Sequence, residues 1–386
     1  MKITDIKTLR LRTPLPPEGQ VYSRTGIRRS RSALLVEVQT DEGFSGIGSC
    51  SGGTGPVIES IIDKVLKPVL IGKDPRNIED LWEECYFRAG VKAFGSRGIG
   101  VMALGGIDIA LWDIRGKIKK LPLCRLLTDT PRERVEVYAT ALYPDETHKV
   151  VQQARALAAE GFRGVKIKLG FNFAKDMEIV KAVRKELGDD FAIMTDANMG
   201  YEVDVAMKAV AVLGDSGVAW LEEPLFVENI AGHASLRFHS SKVPIAVGEN
   251  LQTCFAFQQY ISQGAVDVLQ PDVARAGGVS ETLKIAALAV KHGLPLALHN
   301  WGDAVTLAVS LHLAAALNNS SIMEFDCTYN PLRTELLRES LEPKNGTIAP
   351  PSGPGLGIDL STEALKKYFF AGEEEINFRQ KAINAI

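Results

Sequence analysis

The spacing of hydrophobic and polar positions changes character near residue 130. Before it, "KITDIKTLRLRTP" and "RSALLVEVQTDEGFSGIGSC" alternate with a period of two, and "DEG" supplies a turn. That pattern predicts strands of an antiparallel meander. "GPVIESIIDKVLKPVLIG", "NIEDLWEECYFRAG" and "GIGVMALGGIDIALWDIRGKIKKLPL" then read as helices. Residues 1–130 are thus expected to form an α+β domain. From residue 135 a different unit recurs: a short apolar run ending in polar residues, a helical segment, and often a glycine. The runs are 135–140, 164–169, 191–196, 218–223, 244–249, 266–272, 294–299 and 321–325. Gly161, Gly188, Gly214, Gly264 and Gly293 fall where helix C-caps are expected. Strands alternating with helices imply parallel pairing. Eight such units predict a (β/α)8-type (TIM-like) barrel over residues 131–325, modified by one irregular unit. An open doubly wound sheet is the alternative, but no GxGxxG follows the first strand. The turn-rich residues 326–386 are expected to return and complete the first domain as a cap on the barrel.

Composition narrows the class. The 386 residues are 46% hydrophobic and 24% charged, enough apolar material for a large core. A formal charge of -3, from 44 basic and 47 acidic residues, argues against nucleic acid or an anionic membrane as the main partner. The run "VTLAVSLHLAAAL" (305–317) is too short to span a bilayer, and "MKITDIKTLRLRTPLPP" lacks the apolar core of a signal peptide. Five scattered cysteines with no CxxC pair point to reduced thiols and a cytoplasmic setting.

Barrel enzymes carry their chemistry at the C-terminal ends of the strands. Here those ends hold Lys166 and Lys168, then Asp196, Glu222, Glu249, Asp272, His299 and Glu324, with successive units 23 to 28 residues apart from Lys168 onward. Any one of these acids reads as a helix N-cap or a loop ion pair, and Lys-x-Lys as a solvated strand face. Those readings do not account for an ionisable group at seven consecutive strand ends. Asp196, Glu222 and Glu249 come from three consecutive strands, and three converging carboxylates repel unless a cation lies among them. All-oxygen ligation favours Mg²⁺ over Zn²⁺. Lys166 and Lys168 flank that set on one side, Asp272 and His299 on the other. Asp272 is placed to orient His299 and raise its basicity, and Lys166 to lower the pKa of Lys168 by repulsion. Glu324, if protonated, could donate a hydrogen bond to a substrate oxygen. Abstraction of a proton α to a carboxylate, through an enediolate, needs such a set.

The motifs "KIK" (166–168), "DAN" (196–198), "EEP" (222–224), "GEN" (248–250), "QPD" (270–272), His299, "MEFD" (323–326) and the helix "ALGGIDIALWDIRGK" (103–117) resemble the enolase superfamily, within it the mandelate racemase subgroup. The resemblance spans essentially the whole chain. It implies that Asp196, Glu222 and Glu249 bind Mg²⁺, that Lys168 and the His299–Asp272 pair are acid/base groups, that Lys166 stabilises the enediolate, and that Glu324 is electrophilic. The branch with a lysine in place of Asp272 fits poorly. Another branch resembles this chain but has asparagine in place of Glu249. The C-terminal segment looks like acid-sugar dehydratases and lactone cycloisomerases.

Subgroup enzymes cover the far end of the substrate with loops of the first domain, here about residues 18–31 and 50–55. The first carries Arg24, Arg28, Arg29 and Arg31, suited to clamping a second carboxylate. Arg24, Arg28, Arg275 and Asn198 are the expected substrate-binding residues, the partner is a small-molecule carboxylate, and the family implies a homo-oligomer. The favoured reaction is dehydration or cycloisomerisation of an acid sugar. Racemisation or epimerisation of an α-hydroxy or amino acid would use the same two bases. A Schiff-base aldolase is disfavoured by the three carboxylates, and a non-catalytic barrel by the competent residue at every position.

Overall fold

The computed structural model describes residues 1–23, 26–50, 55–94, 97–240 and 242–370. The first domain is built on three antiparallel strands in the order β1 (Ile3–Pro14), β4 (Ser30–Thr40) and β5 (Ser45–Cys50). Between β1 and β4 the chain makes a small hairpin of β2 (Val21–Ser23) and β3 (Gly26–Arg28), with Val21 opposite Arg28. The helix Ile99–Lys119 lies directly on β5. A Cβ at Gly46 would come within 2.0 Å of Ala110 O, and one at Gly48 within 1.9 Å of Gly106 O, so only glycine permits this approach. Most of that helix is buried, because its other side meets the barrel. Trp112 Nε1 donates to Ser280 Oγ at 2.9 Å, and Asp108 Oδ2 accepts from Ser280 N at 3.0 Å.

The second domain is a ring of parallel strands: β6 (Val135–Leu142), β7 (Gly164–Lys168), β8 (Ala192–Asp196), β9 (Trp220–Glu222), β10 (Ile245–Val247), β11 (Val268–Leu269) and β12 (Ile322–Asp326). Leu296 makes single parallel bridges to Leu269 and to Ser320, and β12 pairs with β6, which closes the ring. The irregular unit is therefore the seventh, where Pro295 has no N–H to give a ladder. Strands β9 to β11 are shorter than their apolar runs: 266–272 yields only Val268–Leu269, since Pro271 ends the pairing.

One further expectation is revised. Gly214 is inside the helix Val203–Asp215, and the left-handed turn falls at Gly217 with φ 59°. No eighth barrel helix follows β12 among the described residues. A single turn, Pro331–Thr334, leads the chain back to the first domain. There Leu123 N donates to Gly355 O at 2.8 Å, Leu356 N to Asp113 Oδ1 at 2.8 Å, and Phe370 N to Arg10 O at 3.0 Å. β13 (Thr347–Ile348) pairs antiparallel with β6 on the way.

Candidate active site

Alternation along the barrel strands stacks inward side chains in layers. At the bottom Tyr138, Met194, Trp220, Ala246, Val268 and Ala297 form a separate apolar cluster. One step up the interior becomes charged: Lys166 from β7, Glu222 from β9 and Glu324 from β12. Lys168 and Asp196, paired in the β7–β8 register, form the rim. The two lysines share a strand face but stand in different layers.

Lys166 is fully enclosed. Its Nζ lies 2.9 and 3.0 Å from the Glu222 oxygens, 2.7 Å from Glu324 Oε1 and 3.4 Å from Asp196 Oδ2. Burial alone would lower its pKa, but these acids hold it well above the ordinary lysine value. Lys168 pairs with Asp196 Oδ2 and lies 3.2 Å from Asn198 Oδ1. Burial disfavours its charge too, yet Asp196 outweighs both that and the repulsion from Lys166, so its pKa is raised. The expected repulsion from Lys166 is present, but it does not leave Lys168 with a depressed pKa.

Across the mouth His299 Nδ1 is 2.7 Å from Asp272 Oδ2, and Nε2 is 2.7 Å from Glu249 Oε2. Against the burial penalty, Glu324 and Glu249 hold the imidazole pKa up at about 10. Asp272 also caps the short helix Val273–Ala276 through Ala274 N and Arg275 N, which fixes its carboxylate against the ring. Glu324 is held below the usual carboxylate range: burial raises it, but Lys166 and His299 prevail. The protonated Glu324 envisaged from sequence is therefore not this state.

Asn198, at φ 43°, donates from Nδ2 to Glu249 Oε1 at 3.1 Å while its Oδ1 faces Lys168. Its amide spans the two sides of the mouth and lines the pocket between them. Arg275 Nη1 donates to Glu249 O at 3.2 Å and lies 3.8 Å from Glu249 Oε2. Arg28 reaches over the mouth from β3, stacked 4.9 Å above the Trp301 ring. Arg24 and residues 51–54 of the second covering loop lie outside the described residues. Lys168, His299, Arg28, Arg275, Tyr22 and Tyr143 share one pocket.

Three participants were not singled out from sequence. Glu223 is as buried as Glu222 and accepts from Asn250 Nδ2 at 2.7 Å; burial and the charge of Glu249 push its pKa up to about 8. Gln270 Nε2 donates to Glu222 Oε2 at 2.8 Å, and Thr140 Oγ1 to Glu324 Oε1 at 2.6 Å. Strict alternation hides Glu223, because adjacent strand residues should face opposite sides. Its φ of 37° breaks the strand there. Gln270, just before Pro-Asp at a strand end, carried a readable signal.

Among the described residues no three acids or histidines stand in a closed metal-holding cluster, because the two amines and His299 lie between them. The donor set nonetheless fits a hard divalent cation. Asp196, Glu222, Glu223, Glu249, Asp272 and Glu324 are all buried, against three fixed cations, Lys166, Lys168 and Arg275, and one imidazole. The crowding registers at Glu222, which burial and the charge of Asp196 raise to about 7. Asp196, Glu222 and Glu249 offer only oxygen, at consecutive strand ends.

The fold and this site together define a barrel enzyme of the enolase superfamily. Residues 6–128 match the family model described as mandelate racemase / muconate lactonizing enzyme, N-terminal domain, and residues 149–364 match the enolase C-terminal domain-like model. D-galactarolactone cycloisomerase of Agrobacterium fabrum is 38% identical over 384 residues, 95% of this chain and 99% of that protein. Arabinonate dehydratase of Saccharolobus solfataricus is 35% identical over 340 residues, 87% of this chain and 90% of that protein. A candidate mandelate racemase from Bordetella bronchiseptica RB50 superposes with a TM-score of 0.93 at 37% identity, covering 96% of each chain. A racemase from Streptomyces coelicolor A3(2) with bound magnesium gives 0.87 at 29% identity, covering 95% of this chain and 100% of that one. The chain belongs to the mandelate racemase / muconate lactonizing enzyme family.

Proposed function

We propose that the protein is a Mg²⁺-dependent acid-sugar dehydratase or cycloisomerase that abstracts the proton α to a carboxylate. The observation that carries this reading is the placement of two proton-transfer groups, Lys168 and the His299–Asp272 pair, on opposite sides of one carboxylate-lined pocket. The kinship with D-galactarolactone cycloisomerase and arabinonate dehydratase supports the substrate class.

Asp196, Glu222 and Glu249 are the residues that would hold the metal. A bound Mg²⁺ would supply positive charge to the substrate carboxylate and engage Asp196, the acid that keeps Lys168 protonated. One of Lys168 and His299 takes the α-proton, and the other delivers a proton on the opposite face, to the departing β-oxygen in a dehydration. The Lys166 ammonium, held by three acids, favours negative charge developing on the carboxylate oxygens. Asp272 fixes the imidazole so that Nε2 faces the pocket.

The test is turnover of an acid-sugar panel with Mg²⁺, read as a semicarbazide-reactive keto-deoxy acid. Absence of that product across the panel refutes dehydration of those sugars. Lys168→Ala and His299→Asn should each abolish turnover while the circular dichroism spectrum stays native; wild-type rate in either removes its assigned role. Glu249→Gln should weaken Mg²⁺ binding in a calorimetric titration by tenfold or more, and an unchanged affinity would take Glu249 out of the ligand set. The same two-base arrangement suits racemisation, which solvent-deuterium incorporation without elimination would reveal. A cytoplasmic setting is part of the same proposal. No helix among the described residues is long and apolar enough to cross a membrane. The family relationship supports a homo-oligomer as its assembly.

A further inference from the structure

Two acids stand at the end of β9. Glu222 belongs to the charged layer, and Glu223 turns off the strand at φ 37°, a left-handed backbone that is uncommon for a glutamate. Its N–H still reaches β10, donating to Ala246 O at 3.0 Å, while its carbonyl accepts from Met199 N at 2.7 Å. Met199 and Asn198 are themselves left-handed, at φ 60° and 43°. The carbonyl of Glu223 therefore pins the turn that carries Asn198.

The carboxylate of Glu223 holds a second turn, the one that carries Asn250. Oε1 accepts from Asn250 N at 3.2 Å and Oε2 from Asn250 Nδ2 at 2.7 Å. The same Nδ2 donates to Glu249 Oε1 at 3.0 Å, where Asn198 Nδ2 also donates at 3.1 Å. A lysine ammonium has only donors, so Asn198 turns its Oδ1 to Lys168 and its NH2 to Glu249. Asn250 likewise presents its NH2 to two carboxylates. Glu249 Oε1 thus rests in a cradle of two amides, and Glu223 fixes both, one through its carbonyl and one through its carboxylate. Asn198, Met199, Glu249 and Asn250 line the pocket, whereas Glu223 lies fully buried behind them. A capping role confined to its own loop would not bring two turns from different strands to one oxygen.

Two amide donors occupy the acceptor sites of Glu249 Oε1, which leaves Oε2, now 2.7 Å from His299 Nε2, as the oxygen that can exchange its partner for a cation. Hydrogen bonds that orient a ligating carboxylate raise metal affinity, because the ligand is already in place when the ion arrives. We propose that Glu223 is a positioning residue: it seats the amides of Asn198 and Asn250 that hold Glu249 Oε1, and so keeps the Glu249 carboxylate preformed for a divalent cation. The proposal rests on the reading of Asp196, Glu222 and Glu249 as the metal-holding set. Glu223 acts through the two asparagines and touches neither metal nor substrate.

The probe is Mg²⁺ alone, titrated calorimetrically into the full chain without substrate. Glu223→Met, which fills a similar volume but accepts no hydrogen bond, and Asn250→Ala should each weaken binding about tenfold. Both break the same relay, so the double variant should lose no more than about tenfold as well. Loss of a nearby negative charge would act only in Glu223→Met, since Asn250 is neutral. Wild-type affinity in Asn250→Ala, or a loss near a hundredfold in the double variant, overturns the proposal. Asn250 is only half-buried, so its variant keeps the test open if Glu223→Met fails to fold. Metal-free crystals supply the second readout: in Asn250→Ala the Glu249 carboxylate should leave its wild-type position or take two. An unmoved carboxylate overturns the positioning role. A wild-type protein that takes up no Mg²⁺ refutes the metal reading instead, and the metal-free crystals still decide whether Asn250 holds Glu249.

Discussion

Lys166 and Lys168 are two residues apart and chemically identical, and the layering of the barrel separates their work. Lys166 neutralises Glu222, Glu324 and part of Asp196 in a layer closed to solvent, while Lys168 lines the pocket. Removing one partner of a buried ion pair strands the other, at a cost of about 3–5 kcal/mol. Lys166→Ala should therefore lower the melting temperature of the metal-free protein by several degrees more than Lys168→Ala does, measured side by side by calorimetric scanning. Equal melting temperatures would show that Lys166 is not the charge that holds the acid layer together. The shared face of the two lysines was legible from the period of two. Their different depth was not, because depth depends on where β7 begins relative to its neighbours.

At the scale of elements, the join between the domains is a capping interaction. Asp108, on a helix of the first domain, accepts from Ser280 N at 3.0 Å and Ser280 Oγ at 2.5 Å at the start of the barrel helix Val279–Lys291. Gly278 makes this possible: at φ 94° a Cβ there would lie 2.3 Å from Asp108 Oδ2. Gly278→Ala meets both a disallowed backbone and a clash, and should destabilise the protein by at least about 2 kcal/mol. A urea midpoint equal to wild type would contradict this. The helix itself was plain from its apolar pattern, and so were seven of the eight strand positions. The reduced seventh strand was not, since periodicity reports which face is buried but not whether a neighbouring strand pairs.

At the scale of the molecule, three segments far apart in sequence meet at His312. Its Nδ1 accepts from Cys124 N at 3.3 Å and its Nε2 donates to Leu356 O at 3.1 Å, so the neutral ring ties the end of the first domain and the returning C-terminal segment to a barrel helix. Burial pushes its pKa down to about 4, from ~6.5 in an unfolded chain. The unfolded state therefore binds more protons between those values, and stability present in full above pH ~6.5 is lost as the pH falls toward 4. Between pH 7 and 5 this group should cost about 2 kcal/mol, seen as a larger drop in urea-unfolding free energy for wild type than for His312→Gln. Parallel pH slopes for the two proteins would rule it out. By itself the sequence determined the strand-helix alternation and the ionisable residues at seven consecutive strand ends, because both follow from local spacing. Only the tertiary structure decided which of those groups touch, that the acids are held by amines and an imidazole, and that Glu223 joins them. Contacts, and the charge states they impose, are set by the closure of the ring and the seating of one domain on the other, across separations that no local pattern encodes.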